Sequence, residues 1–139
     1  MRSAHIFLAS SRVYRMGVIF AQKYGAKVSC IPGSLITANV VDHTRPGYFL
    51  DKYPDSVNAT AEDRAWLWNV LVTAAAEDGV TLIPQPDETV VGGVFTDPCF
   101  ARDGAFENED ADHKSPEFAE IMLGQWNASV LPGREAMRA

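Results

Sequence analysis

Hydrophobic and polar positions alternate along the chain in two rhythms, short apolar runs and stripes of helical spacing. His5–Ala9 is an apolar run closed by Ser10-Ser11, a turn and helix N-cap signal, and reads as a first strand. Val13, Met16, Gly17, Phe20, Ala21 and Tyr24 then recur at helical spacing, predicting a helix with one apolar face that Gly25 stops. Lys27–Ile31 is β-branched and apolar and ends at the turn Pro32-Gly33. A strand, a helix and a strand in this order imply a crossover between parallel strands. Leu35–Val41 reads either as a strand or as an active-site loop, and His43–Ser56, with Pro46, Gly47 and Pro54, as loop.

Thr60-Ala61-Glu62-Asp63 resembles a capping box, and Leu67, Val70, Leu71, Ala74 and Ala75 form the stripe of a helix that Gly79 ends. Val80–Ile83 follows as a buried strand closed by Pro84. Gln85–Lys114 is an acidic, turn-rich loop, and loops of that length carry function or flexibility. Ser115-Pro116 opens a last helix with Phe118, Ile121, Met122 and Trp126 inside. Three helices alternating with three or four strands predict one α/β domain over residues 1–139, built on a small, mostly parallel sheet. Trp66 and Trp68 stand about 200° apart on their helix, so both cannot face one core.

The composition is that of a folded domain, 47% hydrophobic and 22% charged. A formal net charge of −6 argues against nucleic acid or an anionic membrane as partner, because both call for a basic face. Cys30 and Cys99 lie far apart without zinc spacing, and no apolar stretch reaches the ~20 residues of a membrane span. With no secretion signal in its opening residues, the expected location is the cytoplasm.

Ligands of parallel sheets bind beyond the carboxyl ends of the strands, here Ser10-Ser11, Pro32-Gly33 and Pro84-Gln85-Pro86. A serine at a strand-to-helix turn projects its hydroxyl from the sheet edge, near helix amides that stabilise negative charge, but it needs a base. His113 lies in a loop expected to return to that edge, and Asp110, three residues earlier, suits the orienting role. Ser10 is the alternative nucleophile and Asp112 the alternative carboxylate. Asp42-His43 is a second acid–histidine pair, and the acidic run Glu107–Asp112 beside His113 matches no EF-hand or zinc spacing, so no metal is expected.

Leu8-Ala9-Ser10-Ser11 near the start and Asp110-Ala111-Asp112-His113 near the end, leading through His113–Ala119 into the last helix, resemble the SGNH/GDSL hydrolase superfamily. The resemblance implies a reduced three-layer, flavodoxin-like fold with helices on both sheet faces. It also implies a cofactor-free serine mechanism on an ester of a small molecule or glycan. Ser11, His113 and Asp110 would form the triad, with Gly33 and Asn39 as counterparts of the oxyanion glycine and asparagine. Ala9-Ser10-Ser11 stands where the family has Gly-Asp-Ser, and the family's asparagine block is unmatched. A non-catalytic module of the same shape, binding a ligand or protein partner at the strand ends, is therefore the competing expectation. An exposed tryptophan surface would allow such a module to form a homo-oligomer.

Overall fold

The structure is a computed structural model that describes residues 2–41, 55 and 58–130. It is a mixed α/β chain in two units, the first holding described residues 2–32 and 65–84, the second 33–41, 55, 58–64 and 85–130. Helices α1 (Arg2–Ser10), α2 (Arg12–Tyr24), α3 (Ala61–Glu77) and α4 (Pro116–Val130) accompany strands β1 (Val28–Cys30), β2 (Val80–Leu82), β3 (Val90–Val91) and β4 (Phe95–Thr96).

In the first unit β1 and β2 pair in parallel, Val28 opposite Val80 and Cys30 opposite Leu82, as the two apolar runs imply. Ala4 and Leu8 of α1, Tyr14 of α2, Leu71, Ala74 and Ala75 of α3, and Val80 and Leu82 of β2 form its buried core. Ala74 and Ala75 are fully buried. Small residues also bring α2 close to the strands: a Cβ on Gly17 would stand 3.1 Å from Val28 Cγ1, and Ala21 Cβ lies 3.3 Å from where Gly79 would carry one. Gly25 and Gly79 end α2 and α3 in the left-handed conformation, the first as an αL cap with Gly25 N–H bonded to Ala21 O, beside a further bond from Ala26 N–H to Phe20 O.

Two expectations are corrected here. His5–Ala9 is helical, part of α1 rather than a strand. Ala4 and Leu8, four residues apart, share a helical face and are buried, whereas Ile6 and Phe7 are exposed. A five-residue apolar run carries no period long enough to separate the two structures. On α2 the expected apolar stripe is split: Val13, Met16, Phe20 and Tyr24 are exposed, whereas Gly17 and Ala21 face the strands beside Tyr14, which is buried. The face with Tyr14, Gly17 and Ala21 allows closer approach, and Tyr14 keeps its hydroxyl satisfied by donating to Asp78 at 2.9 Å. Leu67 is exposed as well, and of the two tryptophans Trp66 is exposed while Trp68 packs against the core.

A polar clamp joins α1 and α2 to the end of α3. His5 donates from Nε2 to Glu77 at 2.9 Å and from Nδ1 to Asp78 at 3.3 Å, beside the Tyr14 bond. A neutral imidazole has one N–H, so only the cation satisfies both carboxylates. Glu77 first, then Asp78, raise the His5 pKa, and burial raises that of Tyr14.

The second unit is organised around Gln85. Its Oε1 accepts from Leu35 N–H at 2.9 Å, and its Nε2 donates to Thr89 Oγ1 at 2.9 Å and Thr96 Oγ1 at 3.1 Å. Thr96 Oγ1 donates in turn to Leu35 O at 2.7 Å, and Thr89 Oγ1 to Pro86 O at 2.7 Å. Thr37, Thr89 and Thr96 are fully buried, so these bonds are what makes a threonine-lined interior tolerable. Leu35–Val41 contains no strand: Thr37 bridges Thr96, and Ala38–Val41 is a 3₁₀ turn.

β3 and β4 form an antiparallel hairpin inside the expected long loop. Its turn holds Gly92 and Gly93 at positive φ, and a Cβ on Gly93 would lie 2.6 Å from Ala61 Cβ. Asp42, His43 and most of the His43–Ser56 loop lie outside the described residues.

Replacing Gln85 by Leu leaves the Leu35 amide without its acceptor, at a cost of ~1–3 kcal/mol, while the Thr89 and Thr96 hydroxyls lose one donor each and keep their own bonds to the Pro86 and Leu35 carbonyls. Chemical denaturation of Gln85→Leu should therefore show a loss of about 1–3 kcal/mol. The His5 clamp stabilises fully below the unfolded histidine value of about 6.5, and this is lost as pH rises through the raised folded value. Melting temperature should fall across that rise in the native chain, and the fall should flatten in His5→Gln.

Candidate functional site

The loop between Ala101 and Lys114 is closed at its base. Ala101 and Lys114 form an antiparallel bridge, Ser115 N–H donates to Phe100 O at 2.9 Å, and the Phe100 and Phe118 rings meet edge to face at 6.2 Å. Inside, Ala105 and Ala111 are buried and Asp110 N–H donates to Ala105 O at 2.8 Å, so the loop packs on its own side chains. Glu109 enters the left-handed region at φ 54°, which turns the chain into Asp110.

Asp110 is the anchor of this loop. Its Oδ1 accepts the backbone N–H groups of Asp112 at 3.1 Å and His113 at 3.0 Å, the local turn that an Asp makes with the residues just after it. The same carboxylate meets His113 Nδ1 at 3.0 and 2.9 Å and Arg102 Nε at 2.8 Å. The His113 amide and then its ring, with the Asp112 amide, hold the Asp110 pKa down at about 2 against the effect of burial. Asp110 is thus ionised at neutral pH.

The Asp110 side chain is 11% exposed and the His113 side chain 74%. A charged, largely covered carboxylate on Nδ1 fixes that nitrogen as the donor, so in the neutral ring Nε2 is the basic nitrogen. This is the geometry of a general base.

Of the expected oxyanion residues, Asn39 belongs to the same assembly. Its Oδ1 accepts from Thr37 Oγ1, and Thr37 N–H donates to Ala111 O at 3.0 Å, which laces this segment to the Asp110 loop. Gly33 is exposed, and no heavy atom lies within 4 Å of the place a Cβ would take. Gly33 is therefore not required there by packing. Asp112 contributes its backbone: its N–H donates to Asp110, and its carbonyl accepts Lys114 Nζ at 2.8 Å. The Ala111 carbonyl accepts the same ammonium at 2.8 Å, and burial lowers the Lys114 pKa.

Ser10 and Ser11 lie in the first unit, whereas Gly33, Asn39, Asp110, Asp112 and His113 lie in the second. The serines stand between α1 and α2 rather than after a strand, because the first apolar run is helical. Ser11 is the N-cap of α2, its Oγ accepting from Tyr14 N–H at 3.3 Å, while Ser10 Oγ donates to Phe7 O at 2.6 Å.

Sequence reasoning did not single out Arg102 or Thr37. Arg102 is the one basic residue between Asp97 and Asp112, a signal for an ion pair within the acidic run. Nothing in the local pattern around Thr37 marks it, since its partners are distant in sequence. Comparison with protein-family models, with curated proteins and with solved structures gives no match to this chain.

Asp110 has a folded pKa below its unfolded value of about 3.9, so its contribution is present above pH 4 and lost as pH falls toward about 2. Asp110→Asn should remove that acid-side loss from a stability–pH profile. It should also change the His113 ring resonances seen by NMR.

Proposed function

We propose that this chain hydrolyses or transfers an acyl ester of a small molecule or glycan, with His113 as general base, Asp110 as its orienting carboxylate and Ser11 as nucleophile. The Asp110–His113 arrangement carries this reading: a carboxylate bonded through Nδ1 and an exposed imidazole that an incoming hydroxyl can reach. The choice of Ser11 over Ser10 has its own support. As a cap, Ser11 Oγ accepts a bond and retains its proton for transfer, whereas Ser10 commits its proton to the Phe7 carbonyl.

In the reaction, Ser11 Oγ would attack the ester carbonyl while its proton passes to His113 Nε2. His113 would return that proton to the departing alcohol. Water or a second alcohol would then release the acyl group by the reverse sequence. The ties of Asn39 to the loop through Thr37 and Ala111 support it over Gly33 as the oxyanion donor. On this reading the β1–β2 pair is the core of a reduced three-layer, flavodoxin-like sheet.

A second reading is a non-catalytic module that binds a ligand or partner through the Asp110 loop. The observation in its favour is that both candidate hydroxyls are engaged with backbone at a helix–helix turn. A fluorophosphonate probe separates the two, because only an activated serine reacts. The first reading expects labelling of the native chain, and loss of aryl acetate hydrolysis by orders of magnitude in both Ser11→Ala and His113→Ala. Absence of labelling, or activity retained in Ser11→Ala, leaves the binding module.

A further inference from the structure

The net charge of −6 conceals a segregation: residues 2–41 hold Arg2, Arg12, Arg15, Lys23 and Lys27 and no Asp or Glu. On α2 these cations share a surface with apolar side chains. At about 100° per residue, Ile19, Met16, Phe20, Val13 and Tyr24 fall within an arc of about 140°, with Arg12 and Lys23 inside it and Arg15 about 40° beyond its edge. The core-facing arc carries Tyr14, Gly17, Val18 and Ala21. Val13 is 74% exposed, Tyr24 64%, and Met16, Ile19 and Phe20 about half. Lys23 Nζ stands 5.4 Å from the Tyr24 ring centroid, and the Arg15 guanidinium bonds the Ala9 and Ser10 carbonyls, so both charges are held beside the helix.

Among the described residues no helix is long and apolar enough to cross a membrane, and α2 has 13 residues. An amphipathic helix of this kind suits the plane of a bilayer surface, where long basic side chains extend to the headgroups and aromatic and aliphatic groups enter the acyl boundary. A second copy fits this face poorly. Either orientation of an α2–α2 pair sets Arg12, Arg15 and Lys23 against the same cations, and residues 2–41 have no carboxylate to separate them. An anionic lipid surface meets both requirements at once, covering the apolar arc and supplying negative charge without a defined register.

We propose that the outward face of α2 docks this protein on anionic lipid bilayers. Co-sedimentation of the full chain with phosphatidylcholine vesicles containing roughly one-third phosphatidylserine should show binding that pure phosphatidylcholine does not support. The double substitution Arg12→Gln/Lys23→Gln should weaken it about thirty-fold, from ~1 kcal/mol per removed cation. Val13→Ser/Phe20→Ser should weaken it at least ~10-fold with the circular dichroism spectrum unchanged. If the serine variant fails to fold, the glutamine variant decides alone.

Equal partition into neutral and anionic vesicles, or none into either, would overturn the proposal. So would a dimer in sedimentation velocity that Val13→Ser/Phe20→Ser dissociates, since a second copy would then cover the face. Retention on polyglutamate without partition into vesicles would assign the face to an acidic protein instead.

Discussion

An amide largely withdrawn from water needs partners, and in the second unit that requirement converges on the half-buried Gln85. One side chain satisfies a backbone N–H of Leu35 and the hydroxyls of Thr89 and Thr96, three groups from three separate segments. With Leu35 held, Ile36 O receives Thr96 N–H at 2.8 Å, and Thr37 reaches Ala111. Ala111 sits between Asp110 and His113, so the order of the candidate site traces back to a glutamine that has no chemical role in it. Interior threonines make this network costly to perturb, because each hydroxyl lost from the set leaves another polar atom dry.

The first unit is held differently. Its core is aliphatic and its helices approach through small residues, Gly17, Ala21, Ala74 and Ala75. The polar contribution sits at the end of α3, where two adjacent carboxylates gather His5 and Tyr14. One unit therefore loses stabilisation as pH rises and its imidazolium gives up a proton, and the other as pH falls and the Asp110 carboxylate takes one up.

Net charge is a poor guide to surface chemistry when charge is distributed unevenly along a chain. The acidic residues lie after Val41, and the Asp110 loop that carries His113 draws on them, whereas the first helices are purely basic. A partner excluded by the overall sign can still meet a local surface of the opposite sign, within the Debye length of a few residues.

The sequence by itself determined the features that depend on near neighbours. The ends of α2 and α3 follow from Gly25 and Gly79, the start of α4 from Ser115-Pro116, and the β1–β2 strands from their β-branched runs. The Asp110–His113 pair was legible for the same reason, since an Asp bonds the residues that directly follow it. The β3–β4 hairpin, by contrast, lies inside the segment read as an acidic loop, although a Gly-Gly turn between short apolar pairs is a local hairpin signal. Tertiary structure decided what a local pattern leaves degenerate. His5–Ala9 fits helix or strand alike, and only the burial of Ala4 and Leu8 against distant partners selects helix. α2 carries two apolar faces, and the inner one is chosen by how closely Gly17 and Ala21 let it approach β1 and the end of α3. Gln85, Thr37 and Arg102 acquire their roles from groups far along the chain, because a buried hydrogen bond is specified by proximity in space, which spacing in sequence does not encode.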